Sequence, residues 1–397
     1  MKKKIFLSLA LCLQAFFVME SQPLLRVTPE QAGMDSQRLA YADSAILRSI
    51  AAGETPGAVL AIVCNDKLAY LKAYGNKQVN PSLLPMTENT VFDMASVSKV
   101  MSTAISAMIL IERGFLRLSD NVSLYVPGFK PYSDTISGRK VEIKIIHLLT
   151  HSSGLPAYAS IDELKKQYTT PNPNGMIEHI CNVERLSAPG RLFRYSCLNF
   201  ITLQRIIENV SGKSLQVFAQ ENIFKPLGMK HTDYNPLGET LYWSAPTEVD
   251  NVPTGTVHDP LARIMNGGVS GNAGVFTNAE DLAILAAMLL NNGEVNGVRI
   301  LSPLTVKAMR NIPDGFEDFG RTLGWDKSSG YASNKGDLFG ESMYGHTGFT
   351  GTSLIIDPET STAIILLTNS VHLSTGNVIR LRGIVANAVA GAVVRED

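Results

Sequence analysis

Phe92-Asp93-Met94-Ala95-Ser96-Val97-Ser98-Lys99 is the stretch on which the reading of this chain turns. Apolar residues recur through and after it at Val97, Val100, Met101, Ala104, Ile105 and Met108. That is the period of an amphipathic helix, so Ser96 is expected at or near a helix start. Residues three apart share a helix face, which brings Lys99 Nζ within reach of Ser96 Oγ. A helix start also aims free N–H groups and positive potential at the same place. A serine there gains a base and an oxyanion-stabilising backbone together. The helix start and a closed cleft both favour the neutral form of Lys99, the form that accepts a proton.

Ser-x-x-Lys by itself is weak. A second one, Ser137-Gly138-Arg139-Lys140, lies in a Ser/Asp/Gly-containing stretch, and Val141 and Ile143 then alternate with polar residues like a short strand. No helix there aligns serine with lysine. For Ser96 the plain alternative is a helix cap followed by a solvated lysine, and what overrides it is the company further along the chain.

Outward from the motif, residues 37–52 carry a helical pattern. Gly57-Ala58-Val59-Leu60-Ala61-Ile62-Val63-Cys64, a turn at Asn65-Asp66, and Leu68-Ala69-Tyr70-Leu71 read as a hairpin. From Ser96 to about residue 290 the chain is mainly helical with long loops. Ser353-Leu354-Ile355-Ile356, the turn Asp357-Pro358-Glu359, and Ala363-Ile364-Ile365-Leu366-Leu367 make a second hairpin, and a last helix is expected over 378–390. The fold class is therefore α/β of the α+β kind. One antiparallel sheet, built from both chain ends (23–95 and 300–397) and flanked by helices, encloses a mainly helical insert (96–299). A site is expected where the two parts meet.

The 397 residues are 45% hydrophobic and 18% charged with a net charge of −1, an ordinary globular balance without the basic stripe of a nucleic-acid binder. Lys2-Lys3-Lys4 and the apolar run 5–19 read as a signal peptide, 1–22, cleaved near Ser21 or Gln22. A lipid anchor at Cys12 is disfavoured, because Leu11 precedes it where a small residue is usual. Export to the periplasm or exterior is expected. Cys64, Cys181 and Cys197 remain, an odd number without CxxC spacing, so neither a fully paired disulfide framework nor a zinc site is expected.

Arg194-Tyr195-Ser196-Cys197 precedes a helical stretch, 201–210. A tyrosine beside a lysine can move a serine proton. Tyr344-Gly345-His346-Thr347-Gly348-Phe349-Thr350-Gly351 precedes the late hairpin. Its glycines let a substrate approach an edge strand, and His346 offers a donor or a positive charge to a carboxylate. Asn266-Gly267-Gly268-Val269-Ser270-Gly271-Asn272-Ala273-Gly274 lacks the GxxxxGK[ST] pattern and reads as a tight turn walling the cleft. It leads to a capping box at Thr277-Asn278-Ala279-Glu280. His147 and His151 are four apart without the intervening glutamate of HExxH and read as a helix end. No GxSxG occurs, which excludes an α/β-hydrolase nucleophile elbow.

The order Ser96-x-x-Lys99, Tyr195, His346-Thr347-Gly348 resembles the serine β-lactamase and penicillin-binding-protein superfamily. The segments 148–156, 223–229, 257–259, 267–276 and Gly324-Trp325 are similar too. The likeness is strongest to the class C β-lactamase-like branch, which also holds DD-peptidases and small-acyl esterases. It implies a β-lactamase/transpeptidase-like fold with Ser96 acylated and Lys99 and Tyr195 moving the proton. It also implies an oxyanion hole from the N–H groups of Ser96 and Phe349, and neither metal nor organic cofactor. His346 stands where many members have lysine. Cys197 stands at the third position of the family's Tyr-x-Asn motif, where a thiol replaces an amide donor poorly. The expected activity is an exported serine hydrolase acting on short acyl esters or on D-amino-acid-containing peptides and β-lactams. The rival is a catalytically idle module that binds cell-wall fragments, favoured by Cys197 alone.

Overall fold

The structure is a computed structural model and describes residues 21–134, 136–248, 252–331, 334–373 and 376–394. The expected signal peptide, with Cys12, lies outside the described residues up to residue 20. At its expected end, Ser21 N–H donates to Pro226 O at 2.8 Å and Gln22 O accepts from Asn296 Nδ2 at 2.8 Å.

The chain enters through helix α1 (Ser36–Ala51), capped by Asp35, whose carboxylate accepts from the N–H groups of Gln37 and Arg38. Strands β1 (Gly57–Cys64) and β2 (Lys67–Gln78) form the first hairpin. Its turn places Asn65 (φ 47°) and Asp66 (φ 62°) in the left-handed region that these two residue types tolerate. The short β3 (Leu84–Pro85) follows, then β4 (Phe92–Asp93), which leads into Ser96. After the helical insert, with β5 (Asp233–Tyr234) and β6 (Val275–Thr277), come β7 (Tyr344–Thr347), β8 (Ser353–Asp357) and β9 (Thr362–Thr368). The main sheet has the order β7-β8-β9-β1-β2-β3, antiparallel throughout. One sheet is thus assembled from both chain ends, as expected.

The continuous apolar run of β1 follows from burial on both faces. Val59, Ala61 and Val63 point into the large core shared with the helical insert. Ala58, Leu60, Ile62 and Cys64 point into a second core, beneath α1 and the C-terminal helix Ile379–Ala390. In β9, Ala363, Ile365 and Leu367 face the first core, and Ile364 and Leu366 the second. The period of two divides each strand between the layers. The helix Ala279–Leu290 packs against the sheet from the first side.

Three local expectations change. The helix after Ser96 is not amphipathic, because 99–110 are buried without exception. It opens as a short 3-10 turn over Ala95–Val97, widens into a π turn over Lys99–Ala104, and becomes α-helical over Ile105–Glu112. Small side chains at Ser102, Thr103, Ser106 and Ala107 let neighbours pack on every side. The helix after Tyr195 begins at Cys197 rather than 201. Asn278, not Thr277, caps the helix Ala279–Leu290, accepting from Asp281 N–H at 2.9 Å.

Candidate active site

Ser96 follows a strained residue. Ala95 has φ 44°, a left-handed value costly for a side-chain-bearing residue. Its surroundings hold it there. Asp93 Oδ1 accepts from Ala95 N–H at 2.8 Å, and Asp93 Oδ2 accepts from His258 N–H at 2.7 Å. Thr350 Oγ1 donates to Asp93 O at 2.7 Å and Thr352 Oγ1 to Met94 O at 3.1 Å, tying the serine turn to the β7–β8 connection. Burial pushes the Asp93 carboxyl up to about 6, against the pull of the two N–H donors. Ser98 Oγ accepts from Val275 N–H at 3.0 Å and so faces β6. Ser96 lines a cavity of about 570 Å³ with Tyr195, Arg321, His346, Thr347 and Phe349.

Lys99 is fully buried, and its ammonium has three acceptors: Ser96 Oγ at 3.1 Å, Cys197 Sγ at 3.6 Å and Asn272 O at 2.8 Å. Three N–H bonds meet three acceptors, the full capacity of the group. Burial disfavours the charge, but Cys197 and Tyr195, which attract it when ionised, outweigh burial and hold Lys99 above its ordinary value. The desolvation that favours a neutral lysine is real, and the attraction that opposes it acts only when Cys197 or Tyr195 is ionised.

Tyr195 is held as the middle of a stack. His151 lies on one side, ring centroids 4.4 Å apart, and Tyr331 also stacks on it at 5.1 Å. His151 is fully buried with φ 55°, and its Nδ1 accepts from Ser196 N–H at 3.0 Å while its carbonyl accepts from Arg194 N–H at 2.8 Å. The backbone on both sides of Tyr195 is thus pinned to one histidine. Burial, then the charges of Arg321 and Lys99, hold His151 well below the usual histidine value, so it is neutral. Tyr195 Oη is buried without a hydrogen-bond partner among the described residues.

Cys197 begins the helix Cys197–Ser211 and sits behind this group, 9% exposed. Burial pushes its thiol up, and the Lys99 charge draws it only partly back. It touches Lys99 at 3.6 Å, but burial keeps its thiol less reactive despite that contact.

On the opposite wall, His346 of β7 is 4% exposed. Burial, then Arg321 and Lys99, hold it well below the usual histidine value. His346 therefore brings no positive charge to the cleft, which corrects one of the two roles expected for it. Gly348 lies where a Cβ would fall 2.1 Å from Thr352 Oγ1 and 2.6 Å from Met94 O, so only glycine lets this turn approach the serine turn. The Phe349 N–H makes no hydrogen bond among the described residues, and the side chain is exposed against the His258 ring at 5.7 Å. Ser137 and Lys140 lie exposed, on a turn and the strand after it.

The structure brings Ser96, Lys99, Tyr195, Cys197, His346, Thr347, Gly348 and Phe349 around one cleft. It adds Asp93, His151, Asn272, Arg321 and Tyr331. The 148–156 segment and the 266–274 turn, noted as similar to the family or as cleft wall, carried the sequence signal for His151 and Asn272, and His151 was otherwise read only as part of a helix end. Arg321 and Tyr331 had none, since they enter by tertiary folding alone. Among the described residues no group of three or more His, Cys, Asp or Glu side chains is placed to hold a metal ion.

A family model, Beta-lactamase, matches residues 42–387. An N-acetylmuramyl-L-alanine amidase of Bacillus subtilis (strain 168) is 34% identical over 375 residues, covering 87% of this chain and 84% of its own. A putative D-alanyl-D-alanine carboxypeptidase of Salmonella typhimurium is 34% identical over 391 residues, covering 91% of this chain and 89% of its own. Among solved structures, EstCE1, a hydrolase with promiscuous acyltransferase activity, superposes with a TM-score of 0.71 at 25% identity, over 89% of this chain and 99% of its own. A class C β-lactamase has the same fold, with a TM-score of 0.71 at 20% identity, over 91% of this chain and 98% of its own. The chain belongs to the β-lactamase family of serine hydrolases.

Proposed function

We propose that this protein hydrolyses esters in preference to amides through an acyl-enzyme on Ser96. The observation that carries the reading is the 3.1 Å hydrogen bond from Lys99 Nζ to Ser96 Oγ at the floor of the cleft. Ser96 Oγ attacks the substrate carbonyl carbon. Lys99 and Tyr195, acting as one unit, take the hydroxyl proton and pass it to the leaving group. The N–H groups of Ser96 and Phe349 receive the oxyanion. Water then attacks the acyl carbon, the same unit takes its proton, and the acid leaves as Ser96 Oγ is reprotonated.

The preference for esters rests on Cys197. Its sulfur accepts from Lys99 and offers no strong donor to the carbonyl of a substrate amide. Short acyl esters are the favoured substrates, with D-amino-acid peptides and β-lactams turned over weakly. The leader pattern supports export to the periplasm or exterior. A side-by-side assay of p-nitrophenyl esters, nitrocefin and D-Ala-D-Ala peptides tests the preference. Ester turnover should dominate, and comparable or faster peptide or nitrocefin turnover would refute it.

A further inference from the structure

Each ring nitrogen of His346 has a neighbour that settles its state. Nδ1 lies 2.9 Å from Thr347 O, and a carbonyl only accepts, so Nδ1 carries a hydrogen. Nε2 lies 3.4 Å from Arg321 Nη2, and a guanidinium only donates, so Nε2 is a lone pair. Both nitrogens are engaged within the protein. The ring therefore presents neither a free N–H nor a charge to a substrate.

The cation on that wall is Arg321. It is 1% exposed yet lines the cavity, and its guanidinium carbon stands 5.6 Å from the centre of the Tyr195 ring. Nη1 pairs with Asp326 Oδ2 at 2.8 Å and Nη2 also donates to Gly324 O at 3.2 Å. Asp326 is itself held by Ser329 Oγ at 2.8 Å, so the guanidinium is fixed from behind. Its Nε has no hydrogen-bond partner among the described residues.

We infer that Arg321 is a positioning residue for proton transfer: it pins His346 in the Nδ1–H form and itself supplies the fixed positive charge beside Tyr195. This rests on the acyl-enzyme reading above. The motif position of His346, where many family members carry lysine, is then filled by two residues, an arginine for the charge and an imidazole for the shape. The charged and titratable groups around His346 agree with this. Lys99, Arg321 and Arg382 are the basic side chains, Tyr195 and His151 stand across the cleft, and the one nearby acid among the described residues, Asp326, is taken by Arg321. A guanidinium does not titrate in the neutral range, so the charge beside Tyr195 stays constant where a histidine would switch.

Nitrogen-15 NMR of the full chain with labelled histidine tests the pinning without any turnover. His346 should show the Nδ1–H form with an unprotonated Nε2 at neutral pH, and Arg321→Gln should move its resonances. An Nε2–H or doubly protonated His346 in the wild type would overturn the inference. Kinetics test the charge. In Arg321→Gln the His346 ring loses a repelling neighbour, so it takes up a proton at higher pH and partly replaces the missing cation. The ratio of Arg321→Gln to wild-type kcat/KM should therefore rise as pH falls. Arg321→Lys, which keeps the charge, and His346→Lys in the Arg321→Gln background should both give a pH-independent ratio. A loss in Arg321→Gln that is equal at every pH, without rescue by the added lysine, would reduce Arg321 to a packing role. The wild-type spectrum decides even if Arg321→Gln does not fold. Labelling of wild-type Ser96 by a fluorophosphonate reports separately on the acyl-enzyme reading.

Discussion

Lys99 meets Ser96, Cys197 and Asn272 at once, so its chemistry is shared rather than its own. If Lys99 and Tyr195 act as one proton-transfer unit, Lys99→Ala and Tyr195→Phe should each lower kcat by about 10²–10⁴, the usual worth of general-base assistance. The double variant should lose less than the product of the two losses, because the second change removes an already broken relay. Losses that multiply in full would contradict a coupled unit. Cys197 makes a second test. Asparagine there would accept from Lys99 through its oxygen and leave its NH₂ to donate into the cleft. A hydrogen bond of about 0.5–1.5 kcal/mol corresponds to roughly 2- to 12-fold, so Cys197→Asn should raise the amide-to-ester activity ratio on that scale. An unchanged ratio would separate Cys197 from substrate recognition. Because burial pushes the thiol up, iodoacetamide should modify native Cys197 far more slowly than the unfolded chain.

At the scale of elements, the site depends on how closely the β7–β8 turn approaches the serine turn. Gly348 N–H donates to Thr352 O at 2.8 Å, and Gly348 O accepts from Arg382 Nη2 at 2.8 Å, so the turn is held from both sides. Gly348→Ala forces a Cβ against Thr352 Oγ1 and Met94 O, both fixed. Overpacking of this kind costs about 1–3 kcal/mol in stability. Since the turn carries the Phe349 N–H, esterase kcat should fall more steeply than Tm. A variant with lower Tm and wild-type kcat would show that the approach is not needed for the oxyanion. The hairpins 57–71 and 353–367 were legible because an unbroken apolar run beside an Asn-Asp or Asp-Pro turn has few other solutions. The serine helix was read with the wrong character. Its polar positions Ser102, Thr103 and Ser106 looked solvent-facing but pack inside, with Thr103 Oγ1 donating to Gly271 O at 2.8 Å.

For the whole molecule, the number of buried and half-buried histidines sets the pH dependence of stability. Burial lowers the proton affinity of His147, His151, His179, His258, His346 and His372 in the folded chain. A group depressed on folding binds fewer protons in the native state, so its contribution is lost as pH falls through the unfolded value near 6.5. Asp93 and Asp281, both raised to about 6, act the other way, contributing most below the unfolded carboxylate value and losing it as pH rises through 6. Six groups oppose two. Denaturant melts should therefore show stability falling from pH 7 to pH 5, and a rise over that interval would contradict the lowered proton affinity of these histidines.

The order of motifs along the chain was enough to place Ser96, Lys99, Tyr195 and His346 around one cleft. It was not enough to find Arg321 and Tyr331, which come from a loop with no periodic signal and reach the site only when β7 closes the sheet. It also misjudged the charge of His346, because protonation depends on neighbours that no local spacing reveals. All of these readings converge on one atom, Ser96 Oγ. Intact-mass and peptide analysis after brief exposure to a fluorophosphonate should show a single adduct on Ser96, absent from Ser96→Ala. An unmodified wild type, or an adduct on Ser98 or Ser137, would contradict the account.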